Sequence, residues 1–165
     1  MEKEVVESTT KETEERGLTV QKPEMYNMSF DLFDDTPRIK RICSLDLTDE
    51  KNADMVYNAQ QEADFKLNDC VDKEIEVIGC VLTESPNETV NEETGEIITR
   101  KKHGMTLFDS KGKSYVTGSN SCYMSFMQIV ALKGMPTKEK PLTLIPIKTP
   151  AKEKGHEYLK LKVKA

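Results

Sequence analysis

Basic and aromatic side chains lie close together at three places in the C-terminal half of the sequence. They are Arg100, Lys101 and Lys102 in the first place, Lys113 and Tyr115 in the second, and Tyr158, Lys160 and Lys162 in the third. Lysine and arginine neutralise phosphates and release counterions, and an aromatic ring stacks on a base at roughly 1–3 kcal/mol per base. The grouping therefore predicts contact with a single nucleic-acid strand.

The charges of the chain are divided unevenly along its length. Residues 1–96 carry 25 acidic and 10 basic side chains, a net charge of −15, whereas residues 97–165 carry 4 acidic and 14 basic ones, a net charge of +10. The overall charge of −5 therefore conceals a basic part. This asymmetry favours an anionic partner for the basic half. The alternative is an acidic tail beside an ordinary lysine-rich surface.

No group of residues in the sequence is typical of a catalytic or metal site. The motifs GxxxxGK[ST], GxSxG and HExxH are absent, and the carboxylates of Asp31, Asp34 and Asp35 belong to a turn. The four cysteines form no CxxC pair and the two histidines stand alone, which argues against zinc. Cys80 and Cys122 fall within apolar patterns and are expected to be buried. We predict that the protein is not an enzyme and has no cofactor and no metal.

A cytoplasmic location without membrane contact is expected. No apolar run in the 165 residues approaches the roughly 18 that a membrane-spanning helix needs. The first residues, MEKEVVESTTKETEERG, are charged where a secretory signal carries an apolar stretch. If the protein is encoded by a phage, its cytoplasm is that of the host cell.

Three regions are expected along the chain. Residues 1–25 form an acidic arm that is disordered or loosely docked, because they have too few apolar side chains to offset their ordering entropy. Residues 26–70 form N-terminal strands around a turn at 34–37 and a short helix capped by Thr48 or Asp49, packed on a barrel or used in assembly. Residues 71–165 form an OB-fold-like domain.

The order of elements after residue 70 predicts a mainly β fold. Strands at 73–84, 96–109 and 113–118 are followed by a helix at 119–132, for which Ser119, Asn120 and Ser121 offer N-caps, and by strands at 141–148 and 156–164. A polar loop ending in a Gly95 hairpin tip joins the first two strands, and a Gly112 tip joins the next two. Gly79 predicts a bulge or bend. A five-stranded OB-fold-like barrel has its one helix between strands three and four, as here.

Each candidate binding residue also has a purely structural interpretation. Tyr115 could cover the barrel wall with its hydroxyl in water, and lysines beside Tyr158 could only prevent edge pairing of a terminal strand. The run 100–102 could be an ordinary solvated segment. The aromatic residues Tyr123 and Phe126 lie at helical spacing and fit the core better than a stacking platform.

The segment from Tyr57 to Val163 resembles the single-stranded DNA-binding proteins of phages and mobile elements of low-GC Gram-positive bacteria. The resemblance rests on FKLNDCVDKEIEVIGC (65–80), VNEETGE (90–96) and LFDSKGKSYVTGSN (107–120), followed by a helix and two closing strands. It implies an OB-fold and strand-binding roles for Lys113 and Tyr115, and more loosely for residues 100–102. Residues 1–50 have no counterpart in it, and the chain ends in KLKVKA rather than an acidic tail.

Two functions compete on this reading. The first is a sequence-tolerant single-stranded DNA-binding protein that coats and protects displaced strands during phage or mobile-element replication. Its expected partners are single-stranded DNA, further copies of the chain through residues 1–50, and replication proteins. The second is a β-barrel protein-interaction module that binds a host or virion protein. Under the first, Tyr115→Ala weakens DNA binding and leaves folding intact.

Overall fold

One curled β-sheet of eight strands frames the part of the chain that the computed structural model describes, residues 26–27, 40–150 and 155–164. The strands are β1 (Tyr26–Asn27), β2 (Lys40–Cys43), β3 (Phe65–Lys66), β4 (Ile75–Val90), β5 (Ile97–Asp109), β6 (Ser114–Thr117), β7 (Leu142–Pro150) and β8 (Glu157–Val163). Helix α1 spans Glu50–Gln61, α2 spans Asn120–Lys133, and a 3-10 turn spans Leu67–Asp69. The sheet curls like half of a barrel, which confirms the mainly β, barrel-like class predicted from the sequence.

The longest strand, β4, connects the two halves of the sheet. One edge of β4 pairs with β5, and the other pairs with β7 at residues 75–77 and with β2 at residues 81–84. Strand β6 follows β5, β8 follows β7, and the short β3 runs parallel to β6. A register shift beside Gly79 confirms the predicted bend in β4. A Cβ at residue 79 would lie 2.5 Å from Leu45 Cδ2, so the bend also requires glycine for space.

The hairpin of β4 and β5 is longer than the sequence indicated. The predicted polar loop before Asn91 is wrong up to residue 90, because β4 continues in register to the pair Val90 and Ile97. Cross-strand pairing satisfies the backbone of these polar residues, and β-branched Thr89 and Val90 suit a strand. The tip at Gly95 has φ of 71°, as predicted for a residue of a tight turn. The two strands form an arm that ends in Glu92 and Glu93.

Two buried clusters lie on opposite faces of the sheet. The inner face carries the main core, in which Val77, Leu107 and Leu144 are fully buried and Phe126 of α2 packs against them. The outer face carries a smaller cluster around Phe108, which Val56 of α1 covers. Side chains alternate between faces along a strand, and directly paired residues share a face. These two clusters therefore assign the other residues of β4, β5 and β6 to a face.

Both helices begin at predicted caps. The side chain of Asp49 accepts a hydrogen bond from Lys51 N at the start of α1, and that of Ser119 accepts one from Cys122 N at the start of α2. These bonds satisfy amides that have no partner within the helix. Helix α2 is close to its predicted range of 119–132 and is followed by Gly134 with φ of 86°.

The cysteines are structural, as expected for Cys80 and Cys122. Both have no exposed surface, and Cys43 and Cys70 are buried as well. Burial raises the pKa of the Cys80 and Cys122 thiols to about 12, so that they remain protonated at neutral pH. Such thiols behave as small apolar side chains.

The N-terminal predictions are tested only in part. The antiparallel pair of β1 and β2 agrees with two strands between residues 26 and 47, with Tyr26 opposite Cys43. The acidic arm at 1–25 and the turn at 34–37 lie outside the described residues.

Candidate nucleic-acid interface

The basic triplet of β5 is divided between the two faces of the sheet. Met105 and Leu107 belong to the inner core, so alternation directs Lys101 to the inner face and Arg100 and Lys102 to the outer face. All three side chains are exposed. Three consecutive residues of a strand cannot form one contact surface, and the structure therefore separates a group that the sequence analysis treated as a unit.

Lys101 is engaged on its own face. Its Nζ lies 3.1 Å from Glu84 Oε1, and the imidazole of His103 lies 3.9 Å from the other oxygen of the same carboxylate. The hydrogen bond from Lys101 is the main cause that holds the pKa of Glu84 below its ordinary value. His103 also stacks on Tyr123 of α2, with ring centroids 4.4 Å apart. These contacts attach the β4–β5 hairpin to α2. The side chain of Lys101 is therefore less free to contact a phosphate than those of Arg100 and Lys102.

An open basic surface lies on the outer face of β3, β6 and β5. It consists of Lys66, Arg100 and Lys102, which we call the basic face; half-buried Val116 and Thr106 lie between Lys66 and the two residues of β5. None of its three cations forms an ion pair or side-chain hydrogen bond with a described residue. Lys66 was missed by the sequence analysis, since it reaches this face through a two-residue strand paired with residues fifty positions away.

Tyr115 points to the inner face and is held at both ends. Its hydroxyl donates a hydrogen bond of 2.8 Å to Asp109 Oδ2, and its ring stacks on Phe65 with centroids 5.2 Å apart and an angle of 24° between planes. Phe65 remains 45% exposed. Of this pair, Phe65 offers the freer ring for stacking on a base. The FKLND segment that contains it was noticed in the sequence, but only as part of a family resemblance.

Asp109 organises the turn that carries Lys113. Its buried carboxylate accepts hydrogen bonds from the backbone N–H groups of Lys111 and Lys113 as well as from the Tyr115 hydroxyl. The side chain of Lys113 is exposed and has no partner among the described residues. Lys113 is therefore free to bind an anion, but it lies at the hairpin end beside α1 rather than next to Arg100 and Lys102.

At alkaline pH, Tyr115 should ionise above the ordinary range of a tyrosine. Burial, and then the hydrogen bond to Asp109, raise its pKa above the ordinary value of 10.0. Above pH 10 the unfolded chain releases the proton of this hydroxyl, whereas the folded chain keeps it. The stabilisation of the fold by protonated Tyr115 is therefore complete below pH 10 and is lost as the pH rises through the folded pKa. In a titration of tyrosinate absorbance, Tyr115→Phe should remove a step above the ordinary value of 10.0. Loss of a step at the ordinary value instead would contradict the assignment.

The third predicted group lies on the outer face of β8. Leu159 and Leu161 enter the core, so Tyr158, Lys160 and Lys162 point outward, and the Tyr158 side chain is half exposed. Neither Lys160 nor Lys162 has an ion-pair partner among the described residues, whereas Lys164 pairs with Glu74 at 3.0 Å. This group has the composition that the sequence predicted, on a strand separate from the basic face.

A gap in the hydrogen-bonded sheet lies between β6 and β8. Strand β6 pairs with β5 and β3, and β8 pairs with β7, but no ladder joins β6 to β8 in the part of the chain described. We call this gap the seam. A cavity of ≈ 310 Å³ lies in it, lined by Thr117 of β6 on one side and Tyr158 of β8 on the other. The seam therefore separates the sheet half that carries the basic face from β8.

Comparison with models of protein families, with curated protein sequences and with solved structures finds no match for the chain. The resemblance to phage single-strand binders stays a prediction based on its motifs. Among the described residues, no helix is long and apolar enough to cross a membrane.

Proposed function

We propose that residues 71–165 form an OB-fold. The supporting observations are the antiparallel order β4–β5–β6, the pairing of β7 with β4 and of β8 with β7, and the position of α2 between β6 and β7. In this fold the face of strands two and three and the loops beside it bind oligonucleotides. Strands two and three correspond to β5 and β6, whose outer face carries Arg100 and Lys102.

We infer that the protein binds single-stranded DNA with little regard to sequence and coats it. The observation that carries this inference is the basic face, three exposed cations without a described partner on one side of the sheet. Unpaired cations bind phosphates by releasing counterions and read no base. Tyr158 offers an exposed ring on the outward side of β8, and stacking on such a ring tolerates any base. In the proposed path, the strand crosses the basic face and continues over the seam to Tyr158.

The expected test of the stacking contribution is Tyr158→Ala. Loss of the ring should weaken binding of an oligo(dT) strand by roughly 1–3 kcal/mol, as measured for single stacked bases. Tyr57→Ala is a matched control, since Tyr57 is 62% exposed on α1 and lies outside the proposed path. Fluorescence titration measures both dissociation constants. Equal affinities of the two variants would remove Tyr158 from the site.

A protein-binding role has one observation in its favour. Val90 and Ile97 face each other near the tip of the β4–β5 arm and are 63% and 65% exposed. An exposed apolar pair of this kind is a common protein contact. As the alternative function, the arm would bind a host or virion protein, and the cations of the basic face would have no ligand. Removal of the charges of Arg100 and Lys102 should weaken only DNA binding, and replacement of Val90 by a polar residue should weaken only protein binding, so the two variants separate the two functions.

A further inference from the structure

The cavity in the seam contains side chains with unused binding capacity. The hydroxyls of Ser119 and Ser121 are engaged: Ser119 caps α2, and Ser121 donates to Leu159 O at 2.9 Å. By contrast, Asn68, Lys148 and Glu157 line the cavity without a hydrogen bond or ion pair to any described residue. The cavity therefore offers an amide, an ammonium group and a carboxylate that are all free to bind.

The size of the cavity suits one small group. A volume of ≈ 310 Å³ is at the lower end of the roughly 300–1,000 Å³ of small-molecule pockets. Tyr158 borders it, and Lys148 supplies a cation for a phosphate. Because the proposed path of the strand crosses the seam to Tyr158, the group that reaches the cavity is a base with its phosphate.

We propose that the seam holds one nucleobase of the bound strand and prefers a base with an exocyclic amino group. This inference rests on the proposed single-strand binding and adds a base preference to it. Carboxylates accept hydrogen bonds from the cytosine amino group, and an asparagine amide pairs with the edge of adenine. At the same ring position uracil and thymine carry a carbonyl oxygen, which would face the Glu157 carboxylate with no proton between them. Glu157 is the residue that determines this preference, and Asn68 serves either kind of base.

The test compares oligo(dC) with oligo(dU) of equal length, which differ along one edge of the base: cytosine has an amino group and an unprotonated N3, and uracil has a carbonyl oxygen and a protonated N3. With the full chain at pH 8, we expect oligo(dC) to bind about five-fold more tightly, the effect of one hydrogen bond worth ~1 kcal/mol. Glu157→Gln should bring the two affinities together, because an amide can serve as donor or acceptor. Glu139→Gln removes the same charge from an exposed position outside the cavity and should keep the preference.

The outcomes separate this inference from the proposed function. Equal affinities of the unaltered chain for the two strands, or a preference that persists in Glu157→Gln, overturns the seam site and leaves coating of single strands in place. Failure of both strands to bind overturns both proposals. Since Glu157 is exposed and without a described partner, the variant should unfold at the same temperature as the unaltered chain.

Discussion

Replacement of Arg100 and Lys102 together by glutamine should weaken binding of single-stranded DNA by roughly 25-fold at 0.1 M salt. Each phosphate contact to a single strand contributes about 0.7 to the slope of log affinity against log salt, so the loss of two contacts should reduce the slope by about 1.4. Both side chains are exposed and without a described partner, so folding should be unaffected. The measurement is the dissociation constant of a labelled oligo(dT) at several salt concentrations.

Lys101→Gln provides a control on the same strand. It removes one charge at the intervening position, where the side chain points to the opposite face and pairs with Glu84. Each lost positive charge reduces the long-range attraction between the protein and the DNA by a similar amount in all these variants. A larger loss of affinity per charge at Arg100 and Lys102 than at Lys101 therefore indicates direct contact with the DNA. A Lys101→Gln variant whose salt slope drops as much per charge as that of the double variant would mean that the outer face is not the binding surface.

Asp109→Ala should lower the free energy of unfolding by about 3 kcal/mol. The carboxylate accepts three hydrogen bonds from two backbone N–H groups and the Tyr115 hydroxyl, and its residue is buried. Hydrogen bonds to a charged group contribute ≈ 1.5–3 kcal/mol each. Lys111 and Lys113 belong to an exposed turn, where water can replace the carboxylate at their amides, so the loss should be smaller than the sum of three bonds. Urea unfolding measures the difference.

Two milder variants test the same contacts. Asp109→Asn keeps an acceptor oxygen, and Tyr115→Phe removes only the hydroxyl donor, so each should cost less than Asp109→Ala. A loss below 1 kcal/mol in Asp109→Ala would show that the carboxylate does not organise this turn. The same contacts revise the expectation that Tyr115→Ala leaves folding intact. That substitution removes a ring packed on Phe65 and the donor to Asp109, so weaker DNA binding in it would not by itself identify a binding residue.

The strands from β4 to β8 and both helix starts could be predicted because their signals are local. Alternating apolar residues, the glycines of the hairpin tips and the caps at Asp49 and Ser119 each act within a few positions. Strand β3 could not be predicted, since two exposed residues carry no alternation and their partner lies fifty positions away. Residues 85–90 were taken for a loop because their polarity hides their pairing with β5.

The candidate site was predictable in composition but not in arrangement. The sequence identifies which segments are basic, and consecutive residues of a strand must alternate between faces, but only the packed core decides which face each one takes. Leu107 fixes Arg100 and Lys102 on the outer face in this way. Lys66 joins the basic face through a tertiary contact alone. The seam between β6 and β8 depends on the absence of pairing between these strands in the described ranges, and no local sequence pattern predicts such an absence.

The most direct test of the account is competition between single-stranded and duplex DNA for the full chain. In fluorescence anisotropy, a labelled oligo(dT) should bind saturably at low salt and be released as salt is raised. Unlabelled single strands of several sequences should all displace it, while duplexes of those sequences, whose bases are inaccessible to Tyr158, should be much weaker competitors. Absence of binding at low salt, or equal competition by duplex DNA, would contradict the proposed function.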